Sequence, residues 1–197
     1  MEALPFVLAS GWASGVNVYL TVLVTGLAGR WADFGSVPHP LERTDVLIVA
    51  AFLALCEFAA DKVPYLDNAW DLVHTAIRPA FGAAIGALIA GQTGDLNEGL
   101  GAAIGGGTAL ASHLTKASLR LAVNASPEPF SNIALSLSED SAVLAVLLLA
   151  IHHPWPAAVV ALAILGAGIV LAALVVSRIR SGLARALQRP PSTTAAT

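Results

Sequence analysis

The sequence contains few charged residues, few aromatic residues and almost no cysteine. Charged residues make up 12% and aromatic residues 6% of its 197 positions, and Cys56 is the single cysteine. One cysteine excludes an internal disulfide and a site built from several thiolates. The net charge of −3 comes without a surplus of Lys and Arg. This excludes the basic surface that binding to nucleic acid requires.

Several motifs of enzymes and pumps are also missing. The chain has no Walker A phosphate loop, no HExxH zinc motif and no GxSxG nucleophile motif. No apolar segment carries the ladder of basic residues that is typical of a voltage sensor. We therefore expect no nucleotide-driven pumping and no organic cofactor, and an enzymatic function is the weaker hypothesis.

Apolar residues, by contrast, are abundant. They make up 56% of the chain, and the mean hydropathy is +0.75. A helix needs ~20 mainly apolar residues to cross a bilayer. Six stretches approach that length: 4–28, 46–63, 75–90, 96–123, 133–151 and 155–176. The sequence predicts an all-α transmembrane bundle of about six spanning helices. Residues 1–180 would form one domain, and 181–197 a basic and then disordered cytoplasmic tail.

Basic residues are distributed unequally between the two sides of this bundle. With six crossings, eight Lys and Arg residues fall on the side of both termini, and only Arg30 and Arg43 fall on the other. The positive-inside rule assigns the richer side to the cytoplasm. We expect a multi-pass protein with both termini cytoplasmic. A chain of this size makes a thin pore wall, so we also expect a homo-oligomer.

Ionisable residues inside apolar segments are the strongest functional signal. Each costs roughly 2.5 to 3.5 kcal/mol to insert, so each is expected to face a cavity or a partner. Glu57 and Asp61 are four residues apart and share a helix face. His113, Lys116 and Arg120 form a second stripe of opposite charge. We expect the two stripes to pair, either to fix the helix register or to line a transport path.

The same half of the bundle collects further polar residues. If transport is coupled to protons, Glu57 and His113 are the candidates. Glu139 and Asp140 have an alternative role as favourable charges near a helix N-terminus. The predicted vestibule residues are Asn17, Glu57, Asp61, Lys62, His113, Lys116, Arg120, Asn124, Glu139 and Asp140.

A second polar pattern follows Pro64, with steps of four, three and four residues. It predicts a short amphipathic helix near 66–77 at the membrane interface, whose polar face is solvated. The predicted rim residues are Asp67, Asp71, His74, Arg78, Glu128 and Asn132. The alternative is that Asp67, Asp71 and His74 bind a divalent cation. Their spacing matches no specific ligand signature.

Small residues recur at the spacing that lets membrane helices approach closely. The pairs are Gly11 and Gly15, Gly82 and Gly86, and Gly101 and Gly105. They predict tight helix packing.

Three functions are compatible with these features. The first is a transporter or channel for an ion or small polar solute, with a cytoplasm-facing polar vestibule. The second is a binder or enzyme for a phosphorylated, anionic lipid, with a headgroup site formed by Lys62, Arg78, Lys116 and Arg120 and a possible metal. The third is a structural subunit of a membrane complex.

Four stretches of the sequence resemble a known family. They are EFAADKVPYLDNAWDLVHTAIRP, the preceding SGWASGVNVYLTVLVTGL, and the following SHLTKASLRLAVNASPEPFSN and LSEDSAVL. Together they are similar to the bacterial membrane proteins grouped as domain of unknown function 4126. The similarity spans about residues 4–151, and 57–67 is its most specific part. The resemblance implies a compact polytopic domain in a bacterial cytoplasmic membrane, and no activity or substrate.

Overall fold

The structure of the protein, a computed structural model, describes residues 3–32, 37–124 and 130–187. Within these ranges the chain is helical and contains no strand. The helices are α1 (Ala3–Val16), α2 (Val18–Ala32), a 3-10 helix (His39–Glu42), α3 (Thr44–Ala60), α4 (Pro64–Thr93), α5 (Glu98–Asn124), α6 (Phe130–His152) and α7 (Pro154–Leu187). The predicted all-α class is confirmed.

Three of these helices contain segments long and apolar enough to cross a membrane. The segments are Leu66–Thr93, Phe130–His152 and Pro154–Arg178. α1 and the first part of α2 are apolar but shorter. Large apolar side chains such as Phe52, Leu72 and Val159 point outward, as expected where lipid rather than water surrounds the protein. The protein is a membrane protein.

The first predicted span is interrupted at Asn17, where α1 ends and α2 begins. The Asn17 side-chain oxygen accepts a hydrogen bond from the backbone N–H of Leu20 at 2.9 Å, as a helix N-cap does. Its amide nitrogen donates to Asp140 of α6 at 3.0 Å. The break is therefore fixed by a side chain that serves both the new helix and a neighbouring one.

Residues 66–77 are the N-terminal part of α4 and do not form a separate interfacial helix. α4 runs continuously for 30 residues, with Pro79 inside it, and ends at Gly94, whose φ of 73° suits a glycine C-cap. The polar pattern of 66–77 and the apolar span of 75–90 thus share one helix. α7 likewise continues across the predicted domain boundary at residue 180 as far as Leu187, and 188–197 lie outside the described residues.

The core is built on close contact among α1, α4 and α5. Every residue of α1 except Leu4 and Leu8 is buried. Gly105 of α5 faces Gly82 of α4 so closely that an added Cβ would meet the Gly82 carbonyl, and the same would happen to Gly11 of α1 against Gly105. The small-residue pattern thus packs helices tightly, as predicted. This packing brings the polar faces of α4 and α5 against the end of α1.

Candidate functional site

Eight buried ionisable side chains form one continuous network, which we call the charge cluster. They come from α3 and the residue that follows it, α4, α5 and α6, and each lies within 4.0 Å of an oppositely charged member. The members are Glu57, Asp61, Asp67, Asp71, Arg78, Lys116, Arg120 and Glu139. All are fully buried or nearly so except Glu139, whose side chain is 13% exposed.

Arg78 of α4 lies at one end of the charge cluster and is completely buried. Its Nη2 donates to Glu57 Oε1 at 2.6 Å. Its Nη1 donates to His113 Nδ1 at 2.8 Å and to the backbone carbonyl of Gly15 at 3.3 Å. One guanidinium therefore joins α1, α3, α4 and α5. Charge-assisted bonds of this kind are stronger than neutral ones.

Lys116 of α5 also holds the end of α1. Its Nζ donates to Asp61 Oδ2 at 2.9 Å and to the Val16 carbonyl at 3.0 Å. Because Arg78 bonds the Gly15 carbonyl, two cations occupy the C-terminus of α1, where the helix dipole is negative. Backbone groups freed by a break inside a membrane need such partners. The interrupted helix and the charge cluster thus support each other.

Arg120 of α5 joins the residue that follows α3 to α6. Its Nε and Nη2 donate to Glu139 Oε2, and Nη2 also donates to Asp61 Oδ2 at 3.2 Å. Its Nη1 donates to the Asp61 carbonyl at 2.8 Å and to Asn132 Oδ1 at 2.9 Å. All five N–H groups of this guanidinium are used.

Hydrogen bonding fixes the neutral form of His113 and engages both ring nitrogens of His74. His113 Nδ1 accepts from Arg78, so its proton is on Nε2, 3.0 Å from the Thr75 hydroxyl. His74 Nδ1 donates to the Trp70 carbonyl at 2.7 Å, and its Nε2 lies 3.0 Å from the Tyr19 hydroxyl. A proton added to His113 would break its bond with Arg78 and place two positive charges together. The bond to Arg78 therefore counts against His113 as a proton carrier.

The predicted pairing of the two stripes is confirmed for Asp61, which contacts Lys116 and Arg120. Glu57 differs, since Lys116 Nζ is 3.9 Å away and its close partner is Arg78. Sequence reasoning placed Arg78 on an interfacial rim and missed this pair. The signal in the sequence that could have indicated this pair is the helical spacing of polar residues from Asp71 to Arg78. This spacing continues into the apolar part of α4, where a charged side chain needs a partner.

The predicted rim is buried rather than solvated. Asp67 and Arg78 have no exposed surface, and Asp71, His74 and Asn132 are 5%, 2% and 1% exposed. The reason is that α4 is continuous and packs this face against its neighbours instead of lying along the interface. Glu128 lies outside the described residues.

The three metal candidates do not form a ligand set. Both His74 ring nitrogens are engaged with Trp70 and Tyr19, and Asp71 faces Arg78 at 3.1 Å. Among the residues that the structure describes, no group of three or more His, Cys, Asp or Glu side chains is arranged to hold a metal ion.

The remaining predicted vestibule residues border the charge cluster. Asn17 bonds Asp140, Asn124 Nδ2 donates to Asp67 Oδ2 at 2.8 Å, and Lys62 Nζ donates to the Phe58 carbonyl at 2.8 Å. Of the ten predicted vestibule residues, six are buried, and the partly exposed ones are Lys62, Asn124, Glu139 and Asp140. The structure therefore brings these residues together without forming an open vestibule.

Three of the surface grooves that the described residues form reach the charge cluster or its border. A groove of about 470 Å³ between α2, α3 and α6 ends at Asn17 and Asp140. One of about 360 Å³ between α1, α5, α6 and α7 reaches Lys116 and Glu139. One of about 290 Å³ between α4 and α5 reaches Asp71. The cluster is therefore closed but lies close to several faces of the bundle.

These features define a helical membrane protein with an interrupted helix and a buried network of ion pairs. The chain belongs to the family described as domain of unknown function (DUF4126), whose model matches residues 4–174. No curated protein and no solved structure matches the chain.

Proposed function

We propose that the protein is a carrier for an ion or a small polar solute and that the charge cluster is part of its transport path. The observation that supports this most strongly is the position of the cluster, around a helix interrupted at Asn17. Transporters commonly place their binding sites at interrupted helices, where freed backbone groups and charged side chains meet. Ionisable groups within a membrane are costly and are usually retained for function.

A carrier fits the closed geometry better than an open channel. Glu57, Arg78 and Arg120 have no exposed surface, so no water-filled passage runs through the described cluster. The three grooves come close to it from different sides. A small relative movement of helices would connect one groove to the cluster at a time, which is the alternation that a carrier requires.

The proposed topology has six crossings, with α1 and α2 together making the first. The distribution of basic residues supports an orientation with both termini on the cytoplasmic side of a bacterial cytoplasmic membrane. A homo-oligomer is part of this proposal, because one chain forms a thin wall.

A structural role is the second candidate. The observation that favours it is that all three cations of the cluster also bond backbone carbonyls, those of Gly15, Val16 and Asp61. Such bonds fix helix positions whether or not anything is transported. The lipid-headgroup hypothesis is less favoured, because carboxylates already occupy Arg78, Lys116 and Arg120.

Flux into proteoliposomes tests the proposal. The probes are Na⁺, K⁺, Cl⁻ and inorganic phosphate, applied as gradients across vesicles with wild type, Glu57→Gln or Asp45→Asn. We expect wild-type flux of one probe, at least a tenfold reduction in Glu57→Gln, equivalent to ~1.4 kcal/mol on the barrier, and no reduction in Asp45→Asn. Asp45 is the matched control because its side chain is 64% exposed.

Two outcomes count against this account. Flux that is undiminished in Glu57→Gln removes Glu57 from the mechanism. The absence of wild-type flux for every probe contradicts the carrier proposal for these solutes and favours the structural role.

A further inference from the structure

The charge cluster contains five carboxylates and only three cations. Arg78 pairs with Glu57, Lys116 with Asp61, and Arg120 with Asp61 and Glu139. His113 adds no charge, because it accepts from Arg78. The flanking Lys62 and Asp140 have opposite signs and do not change the balance. Two negative charges are left without a cation of their own, and both lie in α4.

These two carboxylates are Asp67 and Asp71. Asp67 Oδ1 lies 3.5 Å from Arg120 Nη1 but makes no hydrogen bond, because both Nη1 hydrogens are donated elsewhere. Asp71 Oδ1 lies 3.1 Å from Arg78 Nη1, whose two hydrogens go to His113 and Gly15. Both Asp71 oxygens therefore lack a donor. In each case the guanidinium nitrogen closest to the carboxylate, Nη1, directs both of its hydrogens to other acceptors, and the Arg78 Nε–H, which has no partner, makes no bond to Asp71 either.

A bound proton compensates the unpaired charges of these two carboxylates better than a metal ion does. Asp67 and Asp71 are four residues apart on one helix face, where two like charges repel. A buried oxygen without a partner is costly, and protonation gives the carboxyl group a donor and removes a charge. A metal ion needs several ligands, and among the described residues no group of three or more His, Cys, Asp or Glu side chains is arranged to supply them.

We infer that the Asp67–Asp71 pair binds a proton in this closed state and is the proton-binding site of the protein. The inference rests on the proposed function only in one respect, that release of this proton would be coupled to opening of the cluster. The bound proton itself does not depend on transport.

The groups that face this pair come from three elements. Asp61, after α3, adds negative charge near Asp67, and Asn124 of α5 donates to Asp67 Oδ2. Arg120 and His113 face the pair from α5, and His74 and Arg78 face Asp71 from α4. The two guanidinium groups attract the ionised forms, but their hydrogen bonds are directed at other acceptors.

A route to the pair is visible at Asp71. The groove of about 290 Å³ between α4 and α5 is lined by Asp71 with Asn68, Leu72, Thr75 and Leu121 among others. The two Asp71 oxygens are covered at its base. Because Asp71 lines this groove and neither Glu57 nor Asp61 does, we take the groove as the route by which the proton enters or leaves.

Infrared spectroscopy of the protein in lipid vesicles, recorded as a pH titration without substrate, tests this inference. A protonated carboxyl group has a carbonyl stretching band that an ionised one lacks. We expect this band at mildly acidic pH and its loss as the pH rises. It should be lost or shifted in Asp71→Asn and in Asp67→Asn and unchanged in Asp45→Asn. Two variants are used because either alone could fail to fold.

Each result has a distinct meaning. Absence of the band in wild type, or a band that both Asp variants leave unchanged, overturns the inference. A missing band together with a rise in melting temperature on addition of Na⁺ or K⁺ assigns a cation to the pair instead of a proton and also overturns it. A band that behaves as expected without flux of any probe supports the proton site and counts only against the carrier proposal.

Discussion

Replacement of Arg78 by Met should destabilise the protein strongly. The variant loses the bonds to Glu57, His113 and the Gly15 carbonyl at 2.6, 2.8 and 3.3 Å. It leaves Glu57 buried, with Lys116 at 3.9 Å as its remaining cation. Removal of one partner of a buried ion pair typically costs ~3 to 5 kcal/mol, because the other charge stays buried without compensation. We expect a loss of unfolding free energy in that range.

A second substitution separates the free-energy contribution of the Arg78–Glu57 pair from that of the other bonds of Arg78. Replacement of a whole buried pair by apolar residues is often close to neutral. The double variant Arg78→Met with Glu57→Met should therefore regain ~2 kcal/mol or more relative to Arg78→Met alone. The remaining deficit reports the lost bonds to His113 and to the end of α1.

The assay is equilibrium unfolding in lipid or detergent, followed by tryptophan fluorescence, since Trp12 lies buried in α1. Arg43→Met is the control, because its ion pair with Asp45 is 66% and 64% exposed and should contribute little. A loss below ~1 kcal/mol for Arg78→Met, or a double variant no more stable than the single one, would refute the view that the pair is buried and mutually dependent.

Two further predictions concern the frame around the cluster. Gly105→Ala places a methyl group against the Gly82 carbonyl and should cost ~1 to 3 kcal/mol of unfolding free energy. Gly107→Ala is the control, because its added methyl group meets no atom within 4 Å and should be tolerated. Equal effects of the two substitutions in the same unfolding assay would contradict the packing of α4 on α5. The Thr93 hydroxyl and the Ala3 backbone N–H both bond the Asp95 carboxylate and lower its pKa. Because the folded pKa is lowered, this stabilisation is present above the ordinary Asp value of about 3.9 and is lost as the pH falls through the folded value. Asp95→Asn should therefore lose less stability on acidification than wild type, and an unchanged acid dependence would show that the contact contributes nothing.

Composition and hydropathy were sufficient to predict the membrane class and the all-α fold. The glycine pairs also predicted tight helix packing, because small residues at a spacing of four let membrane helices approach closely, but only the structure shows that α4 and α5 are the helices in contact. The opposite charges of Asp61 and Lys116 were likewise enough to predict their pairing.

The interruption at Asn17 could not be predicted from its own segment. Residues on both sides of it are apolar, and the break depends on Arg78, Lys116 and Asp140, which are distant in the sequence. The rim prediction was wrong for a related reason. Asp67 and Asp71 resemble a solvated helix face, and only the packing of α4 against α5 shows that they are buried. Local patterns report helix periodicity, but burial is decided by tertiary contacts.

The central claim is that the charge cluster opens to water during the transport cycle, and cysteine accessibility tests this most directly. In a background with Cys56→Ser, a cysteine replaces Ser136, which is fully buried and lies 3.4 Å from Lys62 Nζ. Asn97→Cys, in the exposed turn between α4 and α5, is the positive control. The account predicts that a membrane-impermeant thiol reagent labels Ser136→Cys slowly, at a rate that changes with pH relative to the rate for Asn97→Cys, because pH also changes the thiolate fraction of any cysteine. Complete protection from both sides of the membrane, while Asn97→Cys reacts, would contradict it.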